Sequence, residues 1–191
     1  MEKLYKWLNE DGTPHNGGHG VYNLPTKNAD GSWTPGEWMP EVQGELVLCK
    51  NAYHLCRERD LIYWIGPALY EAEADSDKIE DNVPPETKIG VRRVRLLRRV
   101  ETWNDRTARL FAIWCAREAL RLIDNPDQRS VAACDIAERH ANGQATQEEL
   151  TAAGAAARAA ARAAAGDAAG DAAGAAAGDA QTKKLIEMLG L

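Results

Sequence analysis

The chain has 191 residues, 29 acidic against 23 basic side chains, a formal net charge of −6 and a pI near 5.3. That length suits one domain or two small ones with a real core, and the acidic balance argues against general affinity for nucleic acid or membrane surfaces. Four cysteines outside any regular framework fit a reducing, cytoplasmic setting, and Met1-Glu2-Lys3-Leu4-Tyr5 leads directly into a folded-looking segment with no leader character.

Taken in order, Leu4 to Leu8 reads as a first strand closed by the turn signal Asp11-Gly12. A glycine-rich loop, Thr13 to Gly20, precedes a second expected strand at Val21 to Leu24. Ala29 to Pro40 is a loop whose Trp33 and Trp38 are expected to be pinned onto the sheet. Glu45 to Cys49 and Ala52 to Leu55 read as short strands joined at Lys50-Asn51. Arg57 to Ile65 reads as a short helix with Leu61, Ile62 and Ile65 inward, stopped by Gly66-Pro67. Ala68 to Ala74 is the next strand and Asp75 to Pro85 a polar loop. Lys88 to Val100 alternates well enough for one long strand, with Val94, Leu96 and Val100 on one face. Its five arginines are read as cross-strand partners for Glu71, Glu73, Asp75 and Asp77, not as a nucleic-acid patch.

Beyond Val100 the pattern becomes helical. Thr102 with Asp105 reads as a capping box for a helix ending at Ile123, before Asp124-Asn125-Pro126. A helical wheel places Phe111, Cys115, Ala119 and Leu122 on one side and Arg106, Arg109, Arg117 and Arg121 on another. Asp127 to Ala141 is a further helix, capped by Asn142-Gly143. Gln181 to Leu189 reads as a short amphipathic helix.

Between these lies an alanine tract, Thr146 to Ala180, opened by the capping box Thr146/Glu149 and expected to be helical over 147–180. At 1.5 Å per residue it would span roughly 50 Å. Glycines and arginines recur at intervals of four, so the small-residue stripe winds about 40° per step around the helix and demands neighbours on several sides. Arg158 and Arg162 come early while Asp167, Asp171 and Asp179 come late, the wrong order for the helix dipole. These aspartates therefore call for outside cations, with Arg109, Arg117 and Arg121 as candidates. The alternative is an expanded repeat exposed to solvent. Its five charges and weakly apolar alanines exclude a membrane span.

Two clusters carry potential chemistry. Cys49, His54 and Cys56 have zinc-compatible side chains, and His15 and His19 are candidates to complete a shell, yet the closely spaced pairs of structural zinc sites are missing. Buried thiols are the plainer reading of Cys49 and Cys56. His54 with Tyr53, Glu71 and Tyr5 forms the second set, of the kind that binds a nicotinamide or activates a ribose hydroxyl; a histidine hydrogen-bonded within a sheet is the bland reading. No Walker-type loop, dinucleotide fingerprint or G-x-S-x-G elbow occurs, so no cofactor is expected.

Residues 45–74, running from Leu46 as LVLCKNAYHLCRERDLIYWIGPALYEAEA, resemble a module in small uncharacterised proteins of phages and actinobacteria-like genomes. Its pattern is Gly, aromatic, His, any residue, Cys, and Ala52 stands here in place of that Gly. From VETWNDRTARLFAIWCAREAL through the repeat, the chain is similar to an immunity protein family linked with bacterial toxin systems, whose repeat often carries Trp where this chain has Gly. The resemblance implies a helical interaction module and transfers no catalytic residue. The expectation is thus an α+β chain. A small mixed or antiparallel sheet (1–100) precedes a helical bundle (101–191), joined tightly at Val100-Glu101-Thr102. The expected role is cytoplasmic binding of another protein, or of a second copy, by a phage or mobile-element protein of immunity or anti-defence type. An ADP-ribosyltransferase-like enzyme and a virion or assembly component are the alternatives.

Overall fold

In a computed structural model of the chain, residues 2–75, 77–80, 87–164 and 172–191 are described. The architecture is α+β, with a six-stranded antiparallel sheet and four α-helices among the described residues. Contacts divide the chain into residues 1–103 with Leu185–Leu191, and Asn104–Lys184. The boundary falls just beyond the expected Val100, and the last helical turn belongs with the sheet.

In the first unit the strands are β1 (Leu4–Leu8), β2 (Thr26–Lys27), β3 (Trp33–Thr34), β4 (Tyr53–Arg57), β5 (Ala68–Ala74), β6 (Lys78–Glu80), β7 (Ile89–Val91) and β8 (Val94–Arg99). β2 and β3 form a separate two-stranded ribbon, and the main sheet has the order β6-β7-β4-β1-β5-β8. The long strand expected over Lys88 to Val100 is broken at Arg92-Arg93. Arg92 explains the break: its guanidinium reaches the carbonyls of Val42 (2.6 Å) and Gly44 (2.8 Å) and the Asp77 carboxylate (2.6 Å). The opposing arm bends at the same level, where Asp75 N–H donates to Arg93 O and Arg92 N–H to Asp77 O. β5 with β6, and β8 with β7, are therefore two bent arms of one hairpin. Because β1 pairs with both β4 and β5, and β4 pairs with β7, the sheet closes on itself. Closure removes exposed sheet edges.

Leu4, Leu8, Leu55, Tyr70, Ile89, Val91, Val94 and Leu96 fill the enclosed face with Tyr22 and Met39. The expected cross-strand pairs form on β5 and β8: Arg95 Nε donates to Glu73 and Arg98 Nε to Glu71, both at 2.7 Å. Several expected elements differ. Val21 to Leu24 is not a strand, and the ribbon lies instead at Thr26–Lys27 and Trp33–Thr34, around a turn in which Asp30 accepts from Ser32 N–H at 2.9 Å. Glu45 to Cys49 forms a turn, because the Asn51 side chain donates to the Gln43 and Glu45 carbonyls (both 2.8 Å) and holds the segment as a loop. Arg57 to Ile65 is realised as a 3-10 helix at Glu58–Tyr63, burying Leu61, and β6 lies within the loop expected after Ala74.

The Trp38 loop lines β8, with Gly36, Met39 and Val42 N–H donating to Leu96, Val94 and Arg92 carbonyls. Gly36 is required there, since a Cβ would sit 2.0 Å from Asn23 O. Trp38 is half-buried beneath the guanidinium groups of Arg93 and Arg95, 5.0 and 4.9 Å from its ring. At the unit's end Trp103 meets Trp7 edge-on at 5.1 Å and donates to Gly66 O. Thr102 Oγ1 donates to Leu189 O at 2.7 Å, and Leu185 and Leu189 are buried.

In the second unit, α1 (Asp105–Arg121) is capped by Asn104, whose Oδ1 accepts from Arg106 and Thr107 N–H at 3.1 Å. The expected Thr102 cap is corrected by this, since Thr102 is occupied by Leu189. α2 (Gln128–Ala141) starts at Asp127 and ends at Asn142-Gly143, with Gly143 at φ +72°, as its sequence indicates. α3 (Gln147–Ala164) opens with the reciprocal Thr146/Glu149 bonds of a capping box. α4 (Ala172–Leu189) takes the repeat's end and the expected last helix into one element. The continuity expected across 165–171 lies outside the described residues.

Candidate functional site

The first unit contains a cleft of about 220 Å³ where β1 and β4 part. The two strands pair only at Leu4 with Arg57 and Tyr5 with Cys56. Past that point the Lys6 ammonium takes the His54 carbonyl at 2.8 Å, a position that a continuing ladder would have filled with backbone. Lys6 is the one charged side chain in an apolar five-residue strand. Burial pulls its amine down to about 8, with the Cys56 thiol acting in the other direction, and the Tyr22 ring lies 5.1 Å from Nζ.

The walls are held by second contacts. Trp7 Nε1 donates to Leu61 O (3.1 Å) and Trp64 Nε1 to Thr87 O (3.0 Å). Asn16 Nδ2 donates to Trp64 O, and His15 Nδ1 lies 3.0 Å from Asn9 Oδ1. The His15 ring packs on Gly66, where a Cβ would meet it at 3.1 Å. Cys49 occupies a left-handed conformation, φ +62°, which costs a non-glycine residue about 1 kcal/mol. That conformation aims its N–H at His54 Nε2, 2.9 Å away. Since Nε2 accepts, the His54 proton sits on Nδ1. Burial, then the positive charges of Lys6 and Lys88, push this imidazole down to about 4, so it is neutral at pH 7. Lys88 Nζ donates to Cys49 Sγ at 3.3 Å and lies 5.8 Å from the centre of the Trp64 ring. No Asp or Glu is among the described residues that line the cleft.

The structure separates the His54 set. Tyr53 faces the sheet core and donates to Pro40 O (2.9 Å), while His54 faces the cleft. Glu71 is engaged by Arg98. Tyr5 lies opposite Cys56 and Glu71; its hydroxyl is buried, without a partner among the described residues, and burial pushes it up to about 12. Tyr53, His54 and Glu71 thus present no shared acid–base centre. Cys56 is buried against Tyr5 O at 3.6 Å, with its thiol pushed up to about 12 by burial, whereas Cys49 is exposed, contrary to its expected burial. Among the described residues no three His, Cys, Asp or Glu side chains gather as metal ligands.

Comparison with protein families, characterised proteins and solved structures finds no match.

On α1, Arg117 pairs with Asp135 (2.8 Å) and Glu138 (2.7 Å) of α2, Arg121 pairs with Glu118 of its own helix, and Arg109 is half-buried. Carboxylates of the neighbouring helix thus take the arginine assigned to the alanine tract. Asp179 is exposed on α4, and Asp167 and Asp171 lie outside the described residues. Sequence reasoning missed Lys6, Trp64 and Lys88. A lysine at the centre of an apolar strand is the one local signal that pointed to the cleft.

Among the described residues, no helix is long and apolar enough to cross a membrane.

Proposed function

We propose that the chain is a non-enzymatic protein-binding module that docks a second protein through its helical unit, in the cytoplasm, in the manner of immunity or anti-defence proteins of phage or mobile-element type. The observation that supports this is the apolar pair at the end of α1: Leu122 is 72% and Ile123 54% exposed. Around them the unit has a thin core. Of the apolar side chains in residues 104–159, only Phe111, Ile113 and Cys134 are buried, while Leu110, Trp114, Leu120, Val131, Ile136 and Leu150 are half-exposed. Exposed apolar surface concentrated on one helical unit favours a partner.

The test is a double substitution, Leu122→Asp with Ile123→Asp, in the full chain. Affinity capture from host lysate should retain a specific protein on the wild type and lose it on the variant, while thermal unfolding stays unchanged. Equal capture by both chains refutes the docking role. Sedimentation of the wild type alone separates self-association, the virion or assembly alternative, from binding of a different protein.

A further inference from the structure

We propose that the cleft between β1 and β4 binds a small planar carboxylate, its ring against the indoles of Trp7 and Trp64 and its charge toward Lys6 and Lys88, with the Cys49 thiol at the rim. This is independent of docking by the helical unit.

Four observations carry it. The first is sign: the chain is acidic overall, yet the cleft gathers two amines and two imidazoles, with no carboxylate among its described lining residues. Low-dielectric walls focus such a field on an entering anion. The second is the buried amine. Lys6 spends a charged group inside an apolar strand and receives one backbone carbonyl and an aromatic face in return. An ammonium has three donors, and an anion is the partner that best offsets its desolvation. The third is preorganisation, because both indoles, His54 and His15 are fixed by contacts outside the cleft. Walls that need not be ordered on binding leave more of the interaction energy for affinity. The fourth is size. At about 220 Å³ the cleft is smaller than the roughly 300–1,000 Å³ of sites that take drug-sized ligands, which admits a single ring bearing a carboxylate and not an entire dinucleotide.

Cys49 supplies the reporter. It is the exposed cysteine, while Cys56 and Cys134 are buried and Cys115 is partly covered. In alkylation the thiolate sulfur displaces iodide from the probe's carbon, forming a thioether and releasing iodide; the thiol proton goes to buffer. Iodoacetate and iodoacetamide differ in charge and little in shape. At low salt, the iodoacetate-to-iodoacetamide rate ratio at Cys49, read by peptide mass mapping of the full chain, should exceed that of a short neutral cysteine peptide by roughly tenfold, the low end of electrostatic steering. Added salt should bring it toward the peptide's value. Lys88→Ala and, separately, Lys6→Met should each lower it. Benzoate should protect Cys49 saturably, and the isosteric neutral benzamide should not.

A ratio equal to that of the peptide, with no protection by benzoate, overturns the proposal. Equal protection by benzamide overturns the role of charge, and equal protection by inorganic phosphate overturns the requirement for a planar ring. Cys115 in the same digest controls for unfolding: a variant in which both cysteines gain reactivity has lost structure, and the other lysine variant then decides.

Discussion

Replacing Lys6 by methionine removes the buried charge and keeps an unbranched chain of similar length in the sheet. The wild-type amine falls from its ordinary 10.5 to about 8. At about 1.4 kcal/mol per pH unit, holding the proton in the folded chain costs on the order of 3 kcal/mol. Below pH 8 both folded and unfolded chains carry that proton, and the cost is constant. Between pH 8 and 10.5 the folded chain has released it and the unfolded chain has not, so stability rises with pH. Urea unfolding followed by tryptophan fluorescence at several pH values measures both chains. Subtracting the Lys6→Met curve cancels every other titrating group. The wild-type-minus-variant stability should climb by on the order of 3 kcal/mol between pH 7 and 10.5. A flat or falling difference would refute the placement of this amine inside the protein.

The acid side tests His54, whose folded value near 4 lies below its ordinary 6.5: the unfolded chain takes up the proton first, so stability is lost as pH falls from 6.5 toward 4, and His54→Gln should flatten that limb. Asn104→Ala should destabilise α1 by about 1 kcal/mol through loss of its cap, measured by urea unfolding. Thr102→Val should leave the start of α1 intact by circular dichroism, and should cost about 1 kcal/mol by releasing the Leu189 carbonyl. Leu185→Ala, at a fully buried position, should cost about 2–5 kcal/mol, and a value below 1 would show that the last turn does not belong to the core.

Much of the fold was written in local pattern. Leu4–Leu8 and Ala68–Ala74 alternate cleanly, and the caps Asp127, Asn142-Gly143 and Thr146/Glu149 are chemical signals read within a few residues. Composition and periodicity likewise gave the α+β class and the arginine–glutamate pairing of β5 with β8. What failed depended on distant partners. Lys88 to Val100 has an unbroken strand pattern, and it is the reach of Arg92 to Val42, Gly44 and Asp77 that folds it at a corner. Thr102-Trp103-Asn104 offers two caps in sequence, and a carbonyl at Leu189 removes one of them.

The cleft belongs wholly to the second kind. Amino-acid order alone set a lysine in an apolar strand, an acidic balance and a His-X-Cys strand; nothing local says that β1 and β4 part beyond Tyr5, or that two lysines far apart in the chain meet at one imidazole. Backbone preference and capping act over a few residues, so sequence by itself determines them. Which charges are buried together depends on how the sheet closes, and tertiary structure alone decides that.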